Sequence, residues 1–104
     1  MKKVMQEIMM LVDPELIKIY KAASKKWGDH SQVMMCVEEC AELQKELLHM
    51  LRHSKNKSMD SLIDELADVQ IMIEQMRVVF KITPLEFLTK RADKLRRLKQ
   101  RLEP

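Results

Sequence analysis

The chain has 104 residues, of which 46% are hydrophobic and 34% are charged, and its formal net charge is +3. This length fits one domain and leaves little room for a second, and the balance of apolar and charged residues excludes a disordered chain. Long helices rather than many β-turns are expected, because the chain has one glycine and three prolines but abundant Leu, Met, Lys and Glu. We therefore predict a single all-α domain over residues 1–104.

The N-terminal segment and the apolar runs indicate where in the cell the protein is located. A short helix is predicted from Lys3 to Leu11, but no small-residue cleavage site follows the apolar run Ile8 to Val12, so a signal peptide is not expected. No apolar stretch reaches the ~20 residues that a membrane-spanning helix needs. We predict a cytoplasmic protein with no membrane partner, in which Cys36 and Cys40 are reduced core thiols.

Start and stop residues predict the first two long helices. Asp13 can cap a helix that has a proline at its first position, and Gly28 should end that helix after Trp27. The second helix begins at a capping Ser31, keeps its apolar periodicity for most of its length and stops near His53.

Two further helices complete the chain. Ser58 or Asp60 caps the third, which reaches Phe80 or Lys81. Thr83, a first-turn proline and Glu86 form a capping box that opens the last helix, which runs to the end of the chain. Four helices with short connections predict an antiparallel four-helix bundle. Because a core this small stabilises only modestly, and the chain has ten methionines, we expect a homodimer or homotetramer.

The apolar residues of the two middle helices form one arc on each helix. The arc of the second helix comprises Val33, Cys36, Val37, Cys40, Leu43, Leu47 and Leu51. The arc of the third helix comprises Leu62, Leu66, Val69, Ile73 and Met76. These arcs are the candidate core.

Acidic residues lie at the margins of both arcs. Glu39 and Glu42 follow one margin of the first arc, with Glu46 further along it. Glu65 falls within the margin of the second arc, and Asp68 lies one turn on. Carboxylates at such positions are costly unless a positive charge compensates them. Packed antiparallel, the helices would bring two acid pairs together, and a divalent cation with oxygen ligands, in particular Mg²⁺ with phosphates in its shell, would balance them.

Two other interpretations of these acids remain open. Either acid pair alone occurs by chance on many solvated helix faces, so the metal site depends on the presence of both pairs. Glu46 and His49 form an E-x-x-H pair like those of di-iron bundles. Such sites need a second E-x-x-H pair on another helix, and the third helix contains no histidine.

The order and spacing of the acids resemble a known family. Two stretches look like the paired E-x-x-E and E-x-x-D motifs of MazG-like proteins, members of the all-α nucleoside triphosphate pyrophosphohydrolase superfamily: Glu38-Glu39-Cys40-Ala41-Glu42-Leu43 and Asp64-Glu65-Leu66-Ala67-Asp68-Val69. Twenty-two residues separate the two pairs, which suits a helix–loop–helix hairpin. Trp27-Gly28, Gln32 and the tail from Lys94 to Arg101 also look like the family, so the resemblance covers about residues 27–101. With one motif set, the chain resembles the compact single-domain members.

The resemblance implies hydrolysis of a (deoxy)nucleoside triphosphate to the monophosphate and pyrophosphate. The residues that would hold Mg²⁺, or Mn²⁺ as a substitute, are Glu39, Glu42, Glu65 and Asp68. The ion would bridge the phosphates and position a water for attack at the α-phosphorus, and Glu39 or Glu42 would be the catalytic base. Members of this type differ in the nucleotide they accept, so the base and the sugar are not predicted.

Basic and aromatic residues are candidates for binding the nucleotide. One stripe of the last helix consists of Lys90, Lys94, Arg97 and Arg101. The resemblance assigns Lys94 and Arg101 to the triphosphate, in the same chain or in a neighbouring subunit. Trp27 could stack on the base, and Gln32 could hydrogen-bond to it. A solvated basic face and a core position for the tryptophan are the structural alternatives.

Two functions of other classes compete with the enzyme. A non-catalytic helical interaction or regulatory module would account for the methionine-rich faces and the basic tail. Nucleic-acid binding through that tail is not expected, because no aromatic residues interleave with the basic ones and no DNA-binding motif is present.

Overall fold

The computed structural model describes residues 13–53 and 58–104, together with Lys2, Lys3, Met5 and Gln6. This part of the chain contains four long helices and no strand: α1 Pro14–Trp27, α2 Asp29–His53, α3 Asp60–Val79 and α4 Pro84–Leu102. The all-α prediction is therefore confirmed. Most of the short helix predicted over 3–11, and the connection at 54–57 between the second and third predicted helices, lie outside the described residues.

Local sequence signals set most of the helix ends. The Asp13 carboxylate accepts a hydrogen bond from the backbone N–H of Glu15 at 2.9 Å, and α1 ends at Gly28, whose φ of +89° favours glycine. At the start of α4, the Thr83 hydroxyl oxygen accepts from the N–H of Glu86 at 3.1 Å. The Glu86 carboxylate accepts from the N–H of Thr83 at 3.2 Å, so the predicted capping box is present.

The predicted start of α2 needs correction. Helix α2 begins at Asp29 rather than after Ser31, because the carbonyl of Gly28 already accepts the N–H of Gln32 at 3.1 Å. Helix α3 begins at Asp60, and its start is held by the Ser58 hydroxyl, which accepts the N–H of Asp60 at 3.2 Å.

Helices α2 and α3 form an antiparallel hairpin, and α1 packs across one of its sides. The side-chain amide of Gln75 donates to the carbonyl of Tyr20 at 2.9 Å and to the hydroxyl of Ser24 at 2.8 Å. The Tyr20 hydroxyl donates to the carboxylate of Glu74. These bonds tie α1 to the C-terminal half of α3.

Polar residues are the most deeply buried part of this packing. Gln32 and Gln75 are only 3% and 2% exposed, and Arg77 is also buried. Among the described hydrophobic residues, only Tyr20 and Met72 are buried. The radius of gyration is 16.4 Å, against about 13 Å for a compact domain of this length. The molecule is thus an open arrangement of helices.

The predicted apolar arcs do not become a closed core. Val37 and Leu51 of α2 are 58% and 82% exposed, and Leu66 of α3 is 47% exposed. Burial follows the side of the hairpin that α1 covers, which carries Met72 and Gln75 rather than the arcs.

Helix α4 stands apart from the other three and buries none of its residues. Its contact with α3 is at its start, where the Arg77 guanidinium lies 5.2 Å from the centroid of the Phe87 ring. No helix in the described ranges combines the length and the apolar character needed to cross a membrane.

Candidate metal centre

The α2–α3 hairpin brings acids from both helices to one place. One carboxylate oxygen each from Glu39, Glu65 and Asp68 lies within 4.8 Å of the others. Glu65 and Asp68 share a face of α3 because residues three apart are neighbours on a helix. The antiparallel pairing sets that face beside Glu39. We call Glu39, Glu42, Glu65 and Asp68 the acidic cluster.

Glu42 lies at the edge of the acidic cluster. It is exposed and is not one of the three residues whose oxygens come within 4.8 Å. Its negative charge nevertheless raises the pKa of both Glu39 and Glu65. The structure therefore places the four acids of the two sequence pairs together, three at a distance suited to one ion and the fourth beside them.

The electrostatics of the acidic cluster are unfavourable without a cation. Desolvation raises the pKa of Glu39, and the charges of Asp68 and Glu65 and a hydrogen bond with Asp68 raise it further. Desolvation also raises the pKa of Glu65, followed by the charges of Asp68 and Glu42. The charges acting on these two pKa values are all negative. Fixed like charges at this spacing favour either protonation or a bound cation.

One oxygen of the acidic cluster has no partner among the described residues. The Oε2 atom of Glu65 is buried, and no group in this part of the chain donates a hydrogen bond to it. Buried polar atoms in native proteins are nearly always satisfied, so an unsatisfied one marks a place for an ion or water. Because all the potential metal ligands of the acidic cluster are carboxylate oxygens, the cluster fits a hard divalent cation such as Mg²⁺ or Mn²⁺.

Two acids next to the acidic cluster add to its field. The charges of Glu46 and Asp64 also raise the pKa of Glu65. The position of Glu46 on the same margin as Glu39 was a sequence signal for this proximity. Asp64 gave none, since it precedes Glu65 on a different side of the helix.

A di-iron site of the E-x-x-H type has no support in this geometry. The ring of His49 packs edge-on against that of His53, with 5.6 Å between their centroids. The acidic cluster is completed by carboxylates of α3, which has no histidine.

The predicted base-binding residues lie in contrasting surroundings. Trp27 is 57% exposed, and the Lys26 ammonium lies 5.1 Å from the centroid of its ring. A core position for this tryptophan is therefore wrong, and its ring is accessible for stacking. Gln32 is instead buried, and its Nε2 atom has no hydrogen-bond partner among the residues that the structure describes.

The predicted phosphate-binding residues line a cavity on α4. Lys94 and Arg101 contribute to an open depression of about 650 Å³, together with Arg97 and Gln100. Among the described residues, its lining comes from α4 alone. The charges acting on Glu39 and Glu65 come from α2 and α3, so the structure does not join the basic stripe to the acidic cluster of the same chain.

Comparison with known proteins adds no relative. No protein-family model, curated protein or solved structure matches this chain. Its functional assignment therefore depends on the acidic cluster and its surroundings.

Proposed function

We propose that this chain is a Mg²⁺-dependent, MazG-like nucleoside triphosphate pyrophosphohydrolase that releases pyrophosphate and a nucleoside monophosphate. The observation that carries the proposal is the acidic cluster. Carboxylates from two helices converge within 4.8 Å, and the buried Oε2 atom of Glu65 has no hydrogen-bond partner in the described part of the chain. Such an arrangement is costly for a protein that binds no cation there.

The residues of the acidic cluster would have two roles, metal binding and proton acceptance. Glu39, Glu65 and Asp68 would hold the ion, since their oxygens lie closest together. When bound, Mg²⁺ neutralises charge on the triphosphate and makes the attacked phosphorus more electrophilic. Glu42, which is exposed at the edge, is available as the proton acceptor, with Glu39 as the second candidate.

The reaction proceeds by displacement at the α-phosphorus. A water oxygen bonds to that phosphorus, and its proton passes to the carboxylate of Glu42. The bond from the α-phosphorus to the oxygen that bridges it to the β-phosphorus breaks. Pyrophosphate then leaves with that bridging oxygen, and the monophosphate carries the oxygen of the water. Positioning of water and substrate supplies much of the rate enhancement in such sites.

The nucleotide would be bound by residues outside the acidic cluster. Lys94 and Arg101 would neutralise the β- and γ-phosphates, and the exposed ring of Trp27 would stack on the base. Because α4 packs little against its own hairpin, we assign Lys94 and Arg101 to the acidic cluster of a neighbouring copy. Gln32 would reach a base only if its buried amide became accessible.

The test is a pyrophosphate-release assay on purified protein. A panel of ribo- and deoxynucleoside triphosphates is incubated with Mg²⁺, and pyrophosphate and orthophosphate are measured separately. At least one nucleotide should yield pyrophosphate, and Glu65→Gln should lose that activity while keeping its helical circular dichroism. Glu38→Gln is the matched control, because Glu38 is exposed on α2 and lies outside the acidic cluster. Release of orthophosphate alone, or full activity in Glu65→Gln, would overturn the proposal.

A non-catalytic interaction module is the second candidate. Its support is the exposed apolar surface of the hairpin, where Leu51 is 82% exposed and Ile63 is 58% exposed. That candidate predicts no turnover of any nucleotide and no effect of Mg²⁺ on the melting temperature. The enzyme hypothesis predicts turnover of at least one nucleotide and a higher melting temperature with Mg²⁺, since an ion that binds only the native state stabilises it by mass action.

A further inference from the structure

Both cysteines of the chain lie on one face of α2, where the proposed activity does not use them. Cys36 and Cys40 are free thiols, and both are half-buried. Residues four apart on a helix have Cβ atoms about 5–6 Å from each other. The two sulfur atoms are therefore held on neighbouring turns, at a spacing that one bound ion can bridge.

A groove between α2 and α3 adds a third sulfur atom. It has a volume of about 360 Å³ and is lined by Cys36 and Cys40 of α2 and by Met76 of α3. The rest of its lining among the described residues is uncharged: Val33, Val37, Ala41 and Gln44. A methionine side chain has three rotatable bonds and a polarizable sulfur, so Met76 can turn its thioether toward the thiols. One small groove thus presents two thiols and a thioether to an ion that enters it.

The two thiols are near enough to affect each other. Desolvation raises the pKa of Cys36, and the charge of Cys40 and a hydrogen bond with its side chain raise it further. This interaction agrees with the helical spacing, since thiols on opposite faces of α2 would not reach each other. The pair can therefore act as two ligands of a single ion.

These thiols lie beside the acidic cluster and not within it. At about 100° per residue, Cys36 and Cys40 are about 60° and 100° around α2 from Glu39. In the described part of the chain, no carboxylate or imidazole lines the groove. The hairpin therefore carries two separate sets of potential metal ligands, hard carboxylate oxygens and soft sulfur atoms.

The type of ligand determines which ion the groove suits. A structural Zn²⁺ site takes four ligands from thiolate, imidazole or carboxylate groups. Among the described residues, the groove offers two of these, both thiols. Thiolates together with a thioether instead favour Cu(I). The apolar lining also favours an ion of low charge, because it limits the contact of the ion with water.

We propose that Cys36, Cys40 and Met76 bind one Cu(I) ion in this groove. On binding, each thiol releases its proton to the solvent and its sulfur forms a bond to the ion. The thioether sulfur forms a third bond without loss of a proton. The ion enters and remains as Cu(I), so no electron is transferred. This inference does not depend on the proposed activity, because it uses none of the residues of the acidic cluster.

The test is a competition for Cu(I) between the full chain and the chromophoric chelator bicinchoninate, carried out without oxygen. Wild type should withdraw one Cu(I) ion per chain from the chelator. Cys36→Ser and Cys40→Ser should each lower the affinity roughly a hundredfold or more, because each removes a thiolate ligand. Met76→Leu should lower it about tenfold, because leucine keeps the volume of the side chain and removes the sulfur.

Two controls separate this site from the other methionines and from the acidic cluster. Met34→Leu is the matched control for Met76→Leu, because Met34 is 47% exposed on α2 and lies outside the groove. Met34→Leu and Glu65→Gln should both bind Cu(I) as the wild type does. The proposal is overturned if the wild type leaves all the Cu(I) with the chelator, if any of the three groove variants binds as tightly as the wild type, or if Glu65→Gln loses the ion.

Protection of the thiols covers the case in which a variant fails to fold, because it uses the wild type alone. Iodoacetamide alkylates accessible thiols, and mass spectrometry counts the alkyl groups added to the two cysteines of the chain. Both thiols should be alkylated in the metal-free protein and protected after one equivalent of Cu(I) is added. Equal alkylation with and without Cu(I) would exclude the thiols as its ligands.

Discussion

Replacing Glu65 by glutamine keeps the size of the side chain and removes one charge from the acidic cluster. In the metal-free protein the pKa of Glu65 is raised, first by desolvation and then by the charges of Asp68 and Glu42. Its ionised form is therefore less stable in the fold than in the unfolded chain. Glu65→Gln should raise the melting temperature of the metal-free protein near neutral pH. The sign is informative because most substitutions lower stability.

In the presence of Mg²⁺ the wild type should instead melt at a higher temperature than Glu65→Gln. An ion present at 100 times its Kd stabilises the native state by about 2.7 kcal/mol. For a domain of about 100 residues this corresponds to roughly 10–20 °C in melting temperature. Wild type should gain this shift between EDTA and saturating Mg²⁺, and Glu65→Gln should lose most of it.

The assay is thermal unfolding followed by circular dichroism at a fixed protein concentration. Glu38→Gln serves as the control, since it removes an exposed carboxylate of α2 without touching the acidic cluster. It should respond to Mg²⁺ as the wild type does. A wild-type melting temperature that is the same in EDTA and in Mg²⁺, or a Glu65→Gln variant that melts below wild type in EDTA, would refute this role of Glu65.

Four further outcomes follow from the same contacts. The pKa values of Glu39 and Glu65 are raised in the fold. The metal-free wild type should therefore gain stability as the pH falls from the raised pKa values toward the ordinary carboxyl range. Melting in EDTA across that range should show a smaller gain in Glu65→Gln, and equal gains in the two proteins would contradict the raised pKa of Glu65. Gln75→Ala should cost about 2–3 kcal/mol in urea unfolding, since two hydrogen bonds from a buried side chain are lost; a cost near zero would show that this residue does not hold α1. Thr83→Ala should cost about 1 kcal/mol through loss of the helix cap, and Thr83→Ser should recover most of it. Lys94→Ala should raise the KM for the triphosphate about tenfold, whereas Lys99→Ala should leave it unchanged, and equal KM values in the two variants would remove Lys94 from the site.

Signals within a few residues of each other were sufficient to predict the helix ends at Asp13, Gly28 and Thr83. A capping side chain, a positive φ and a capping box depend on local backbone geometry alone. The start of α2 was placed too late, because the carbonyl of Gly28 lets the next helix begin at Asp29 without a side-chain cap. The serine at position 31 is the same in the sequence whether it caps a helix or lies in the first turn of one.

The proximity of the acids was also predictable, and for a similar reason. Helical periodicity fixes which acids share a face, and a short hairpin leaves antiparallel packing as the natural arrangement. Glu39, Glu65 and Asp68 accordingly lie together. Asp64 is a further negative neighbour of Glu65 that periodicity did not predict, because it lies on a different side of α3.

Tertiary packing was the part that periodicity could not supply. Gln32 and Gln75 are among the most buried residues, although hydrophobic patterns assign the interior to apolar side chains. The burial of Gln75 depends on where α1 docks, because its side-chain amide donates hydrogen bonds to Tyr20 and Ser24 of α1. The apolar arcs were expected to form a core within one chain. None of their twelve residues is fully buried and five are exposed, since α1 occupies the other side of the hairpin.

Binding of Mn²⁺ followed by electron paramagnetic resonance tests the metal centre most directly. Mn²⁺ accepts the same oxygen ligands as Mg²⁺ and reports its bound fraction by loss of the free-ion signal. The wild type should bind Mn²⁺, release it to excess Mg²⁺ and lose it in Glu65→Gln, while Glu38→Gln should bind as the wild type does. A wild type that binds no Mn²⁺, or a Glu65→Gln variant that binds it equally well, would contradict the account.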